Sequence, residues 1–281
     1  MFNSRISRLP LLLPFLAVVL ATPAAASSIQ LDQALFGHLD QALVTTCTSD
    51  TGINNACGPT AAVNSFTFLE NRYPQIYGNT LIPHINGNTA QQDQIAVADM
   101  LSCYMSCGGN TGGTAIADFI QGKMDYINSV APGTTYFLNM NIFAPGGAYP
   151  NFNFLFKELS DQEDVELLVG FYQFNAGNGQ LTRMGGHYVT LTGIDSPTDD
   201  GNGSISFIDP SGGVNRNNIA TFLAPDGSIR TTAYGNRTVT IIEAAVSESP
   251  IPEPATVALL TGSLVIGIWV RRRATAAALP Q

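Results

Sequence analysis

Basic residues are scarce in this 281-residue chain, with 12 Lys and Arg against 21 Asp and Glu, and only three His. Five of the twelve stand at the ends, as Arg5, Arg8, Arg271, Arg272 and Arg273, which leaves seven between Ser27 and Ser249 against twenty acids. That shortage excludes nucleic acid and anionic lipid as partners, because neutralising phosphates needs clustered Lys and Arg. Cysteine is scarce too: Cys47, Cys57, Cys103 and Cys107 are the four. Cys103 and Cys107 lack a second ligand pair at zinc-site spacing, so no metal is expected. "DSPTDDGNGS" lacks the alternating acids and distal Glu of a calcium loop and reads as a hairpin connection. With no phosphate-cradling or dinucleotide motif either, no cofactor is expected.

Long apolar runs occur only at the two ends. Residues 1–26 hold Arg5 and Arg8, then "LPLLLPFLAVVLA", then the small residues of "PAAAS". This order is that of a secretory signal peptide cut after Ala26. Pro10 and Pro14 interrupt the run, which falls short of the roughly 20 residues a spanning helix needs. The segment 250–281 contains Pro252, Glu253 and Pro254, an apolar stretch over 255–270, and three arginines. At about 1.5 Å per helical residue the stretch spans roughly 24 Å, a thin but sufficient membrane crossing stopped by positive charge. This tail resembles the PEP-CTERM sorting signal of Gram-negative bacteria. The resemblance implies recognition at Pro252, Glu253 and Pro254 by an exosortase, a membrane cysteine transpeptidase, with anchoring through 255–270 before removal. The chain would then reside at the cell surface, outside the cell or with exopolysaccharide. A plain single-pass anchor is the alternative, and either places 27–249 outside the cytoplasm as one domain.

Within 27–249 the first half reads as helical. Leu31, Leu35, Leu39 and Leu43 are spaced four apart and predict an amphipathic helix over 29–44. "CGPTAAVNSFTFLENRY" predicts a second helix, with Pro59 in its first turn and Pro74 ending it. "AQQDQIAVADMLSCYM", "TAIADFIQGKMDYINSV" and "FNFLFKELS" predict three more. The second half changes character. "VELLVGFYQF", "HYVTLTGID", "SISFIDP" and "RTVTIIEAAV" are rich in β-branched and aromatic residues and are separated by turn-formers, which predicts antiparallel strands. Helices first and strands second make an α+β arrangement.

Cys57 stands at a predicted helix N-terminus, where the helix dipole favours thiolate. A nucleophilic cysteine needs an imidazole to move its proton and a polar group to orient that imidazole. His187 lies in "GGHYVTLTGID" and Asp209 ends "SISFIDP". If these strands are antiparallel neighbours, the two side chains meet at one end of the sheet.

"ACGPTAAVNSF", "GGHYVTLTGID" and "FIDPSGG" together resemble the papain-like cysteine peptidases, in the branch related to bacteriocin-processing, double-glycine peptidases. The resemblance covers 57–213, concentrated in those three islands. It implies a papain-like fold, with the Cys57 helix packed on the antiparallel sheet, and a peptidase or amidase. Cys57 would be the nucleophile, His187 the general base and then acid, and Asp209 the orienting group. The family's glutamine, about six residues before the cysteine, is replaced by Thr51, so Asn54 and Asn55 are the nearest candidate oxyanion donors. That departure keeps two alternatives open: a degenerate domain acting as a surface binding protein, or an acyltransferase with an amine acceptor. Cys57 could instead pair with Cys47. With Cys57 free, Cys103–Cys107 and Cys47 with either of them are the remaining pairings.

Overall fold

The computed structural model describes residues 27–46, 55–106, 113–177, 179–198, 200–235 and 239–251. The expected signal segment, Pro252, Glu253, Pro254 and the stretch 255–270 lie outside the described residues, as do Cys47, Thr51, Asn54 and Cys107. Among the described residues, no helix is long and apolar enough to cross a membrane.

Eight antiparallel strands form the frame: β1 (Ser27–Gln30), β2 (Thr135–Asn141), β3 (Asp164–Asn175), β4 (Gln180–Ser196), β5 (Gly203–Asp209), β6 (Val214–Leu223), β7 (Ile229–Thr231) and β8 (Val239–Pro250). Six of them follow one another in the order β4-β3-β8-β7-β6-β5, and β5 pairs back onto β4 to close the circle. β1 adds to the far end of β4 and β2 to the far end of β8. The papain-like expectation, a helical half packed on a sheet, is therefore corrected: the chain forms a closed six-stranded barrel with two extra strands, and helices are the minority. The cause lies in the long strands. β4 has 17 residues and β8 has 12, and each pairs with three neighbours. Register shifts at Phe171/Tyr172, Leu168/Val169, Leu191/Gly193 and Ile205/Phe207 bend these strands and add the twist that closure needs.

The helix expected over 29–44 is also absent. Strand β1 is followed by two short 3-10 turns, Gln33–Leu35 and Gln41–Leu43. Asp32 and Asp40 accept hydrogen bonds from the Ala34 and Ala42 amides, each at 3.0 Å, so the side chains favour capped turns over a continuous helix. Gly37 lies between the turns against the next helix, where a Cβ would stand 2.8 Å from Asn64 Oδ1 and from Thr67 Oγ1.

The helices are α1 (Cys57–Arg72), α2 (Pro74–Tyr77), α3 (Ala90–Tyr104), α4 (Ile116–Val130) and α5 (Phe152–Ser160). α1 is buried from Gly58 to Phe66, between β3 and β4 on one side and α3 and α4 on the other. Its small and apolar residues allow that. Two hydrogen bonds tie it to the sheet: Thr190 Oγ1 donates to Ala61 O at 3.0 Å, and Ser65 Oγ donates to Asp164. Phe119 of α4 stacks on Tyr188 of β4 with centroids 4.4 Å apart, and Phe66 stacks on Tyr126 at 5.6 Å. Such side chains stabilise by roughly 1.5–3 kcal/mol each on burial. This packing fixes the first residue of α1 against the middle of β4.

Candidate active site

Cys57 is the first residue of α1, and the preceding Ala56 gives no side-chain cap. The uncapped amides there face the thiol, and Cys57 Sγ accepts from the backbone N–H groups of Gly58 and Tyr188. His187 sits within β4, one residue before Tyr188. β5 runs antiparallel beside β4, with Ile208 opposite Thr190, so Asp209 arrives next to the imidazole. His187 Nε2 and Asp209 Oδ1 are 2.7 Å apart. That engagement leaves Nδ1 as the ring nitrogen for the thiol.

Asp209 is fully buried and heavily supported. Its Oδ1 also accepts from the Ser211 amide at 2.9 Å, while Oδ2 accepts from Arg216 Nε at 2.6 Å and from the Tyr234 hydroxyl at 3.2 Å. The Arg216 guanidinium lies over the Tyr234 ring, 5.5 Å from its centroid, and the same ring meets His187 edge-on at 5.6 Å.

The electrostatics follow from these contacts. Burial pushes the Cys57 thiol up, but the hydrogen bond to His187, the imidazolium charge and the two backbone amides outweigh it, so the net shift is below the ordinary thiol value. Burial pulls His187 down, but the Asp209 and Cys57 contacts overcome it and push the imidazole up to about 9. Asp209 is raised by burial and lowered more by His187, the Ser211 amide and Arg216, ending below its usual range. Both shifts favour the thiolate–imidazolium form of the pair over the neutral one.

Cys57 and His187 open onto a cavity of about 520 Å³. Its walls include Gly113, Ala115, Gly185 and Gly186, with Asn55, Arg183 and Gln41 as polar members. Gln41, 16 positions before Cys57 in the chain, lines the same cavity. Its backbone N–H donates to Pro210 O at 2.8 Å, and Gly212 N donates to Asp40 Oδ1 at 3.1 Å. The turn after Asp209 therefore grips the segment that carries Gln41. Gly213, at φ +61°, makes the grip possible, since a Cβ there would lie 2.3 Å from His38 O.

Of the sequence candidates, Cys57, His187 and Asp209 come together. Asn55 lines the cavity, whereas Asn54 lies outside the described residues. Cys57 is a free thiol, and Cys103 is disulfide-bonded. Among the described residues one buried group, Asp164, Glu166 and Glu248, has metal-ligand geometry. Lys123 Nζ already stands 2.5 Å from both glutamates, so an ammonium fills the position a cation would take.

Sequence reasoning missed Gln41, Arg183, Arg216 and Tyr234. Gln41 carries no signal, because the leucine spacing places it in a helix over 29–44 and the family spacing points to position 51. The two arginines did carry one: in a domain with seven bases, two stand beside the cysteine's partners. Comparison of the chain with family models and with curated proteins gives no match.

Proposed function

We propose that this protein is an exported cysteine hydrolase that cleaves a peptide or amide bond through Cys57, His187 and Asp209. The observation that carries the reading is the single hydrogen-bonded line from thiol to imidazole to buried carboxylate at the edge of a cavity. The thiolate attacks the substrate carbonyl carbon, forming a C–S bond. The oxyanion is held by the Cys57 backbone N–H and the Gln41 side-chain amide. His187 gives its Nδ1 proton to the leaving amine as the C–N bond breaks. Water then attacks the thioester, loses a proton to His187 and releases the acid with the thiolate restored.

Export, exosortase handling and transient anchoring rest on the sequence of the two ends and belong to the same proposal. The alternative of a degenerate binding domain drew on the missing glutamine, and Gln41 in the cavity weakens that reason. Transfer to an amine uses the same residues and differs only in the acceptor.

The test is hydrolysis of an internally quenched peptide library by the purified chain, with products mapped by mass spectrometry. Cys57→Ala is expected to abolish cleavage while thermal unfolding stays near that of the parent. Full cleavage by Cys57→Ala would refute the proposal.

A further inference from the structure

We propose that Arg183 sets the substrate preference of this site by binding a carboxylate beside the scissile bond. The inference rests on the hydrolase reading and extends it to a substrate class. Arg183 lines the same cavity as Cys57, and its Nε and Nη2 donate to Glu243 Oε1 and Oε2 at 2.7 and 2.8 Å. Glu243 is fully buried and takes a further hydrogen bond from the Tyr172 hydroxyl at 2.6 Å. The guanidinium also lies 5.6 Å from the centroid of the cavity-lining Phe143 ring. Nη1 has no hydrogen-bond partner among the described residues.

The fold makes room for this pair. Gly170 of β3 and Gly186 of β4 face each other in register. A Cβ on Gly170 would lie 2.2 Å from Glu243 Cδ, and one on Gly186 would lie 2.6 Å from Arg183 Nη2. Two strand glycines, each costing stability, thus clear the slot that holds the ion pair. Stability alone does not account for it, because an ion pair whose arginine is partly exposed to solvent contributes little. The arrangement instead sets a dipole: the negative end is buried, and the positive end, with its N–H groups fixed by a planar fork, faces the cavity. A carboxylate is the acceptor that planar donors of this kind hold best. Its source is either a free C-terminus or an Asp or Glu side chain.

The experiment alkylates the purified chain with three probes: iodoacetyl-glycine, with a terminal carboxylate; iodoacetyl-aspartyl amide, with a side-chain carboxylate; and the neutral iodoacetyl-glycinamide. In each reaction the Cys57 thiolate forms a C–S bond as the C–I bond breaks and iodide leaves, and intact mass follows the rate. At least one carboxylate probe is expected to react about tenfold faster than the neutral one, the worth of one charged hydrogen bond. The faster probe identifies the source. In the Arg183→Met/Glu243→Gln double variant, which removes both charges together, the advantage of the carboxylate probe over the neutral probe on that same variant should vanish. Arg183→Lys, which keeps the charge without the fork, should keep only part of it. No advantage in the parent chain, or an advantage retained in the double variant, overturns the proposal. If the neutral probe reacts no faster with the parent than with His187→Ala, the hydrolase reading itself fails.

Discussion

At the scale of the residue, the site depends on how His187 divides its two nitrogens. Asp209 holds Nε2 and is itself held by Ser211, Arg216 and Tyr234, so the imidazole has little freedom to turn away from the thiol. Hydrolysis needs the thiolate and the imidazolium at once. Activity should rise with pH as the depressed thiol ionises and fall as pH passes about 9, where His187 loses its proton. His187→Ala removes the charge and hydrogen bond that pull the thiol down. The midpoint of Cys57 alkylation against pH should then move upward, measured with iodoacetamide; an unmoved midpoint would show that His187 does not govern the thiol. Gln41→Ala tests the oxyanion assignment. Loss of one such donor costs a factor of about 10² to 10³ in turnover, so kcat should fall by that order with KM little changed.

At the scale of the element, α1 and β4 organise the site, and their legibility differed. α1 was legible as a helix because its apolar residues recur at helical spacing and Pro59 and Pro74 punctuate it. The middle of β4 was legible from the β-branched run after His187. The first part of β4, from Gln180 to Gly186, and the whole of β6 were not, because both carry polar residues on exposed faces and lack the alternation that marks a half-buried strand. Barrel closure was illegible for a different reason. It depends on β5 pairing with the edge of β4 opposite β3, where Thr190 and Leu191 have a partner on each side, and on the bulges that bend the strands, and neither leaves a pattern in the sequence. The grouping of Cys57, His187 and Asp209 was legible because the chemistry proposed for them is fixed by residue type. Gln41 was not, because its segment is placed by tertiary contacts: Gly37 N donates to Asn64 O at 3.0 Å, and Leu39 N donates to Asn64 Oδ1 at 2.8 Å. Gly37→Ala would push this segment off α1, since the new Cβ has no space beside Asn64. The expected result is a loss of about 1–3 kcal/mol in urea unfolding, with a drop in kcat as Gln41 shifts. Unchanged kcat in a destabilised variant would separate the segment from catalysis.

At the scale of the whole molecule, α4 is tied to the barrel by one ammonium among three acids. Lys123 Nζ reaches Glu166 of β3 and Glu248 of β8 at 2.5 Å, with Asp164 of β3 alongside and the Phe66 and Phe119 rings within 5.5 Å of it. One positive charge cannot balance three buried carboxylates, so protons must stay in the cluster. Burial, with the charge of Glu248 added and that of Lys123 opposing, pushes Glu166 up to about 8. Burial and the charge of Glu166 push Asp164 to about 6, and Glu248 is also raised, by burial first. A carboxyl whose folded value lies above its unfolded one holds extra protons in the native state. Its contribution is fully present below the unfolded value, near 4.5 for Glu, and is lost as pH rises through the folded value. The chain should therefore melt at progressively lower temperature from pH 5 to pH 8.5. Glu70, Glu163 and His187, also raised, act in the same direction over this range. Glu166→Gln isolates the cluster: it keeps the shape, removes one titrating group and leaves Glu248 to balance Lys123. Scanning calorimetry of parent and variant across that range should show a smaller decline for Glu166→Gln. Parallel curves would mean that Glu166 is ionised in the native state throughout and that the protons reside elsewhere.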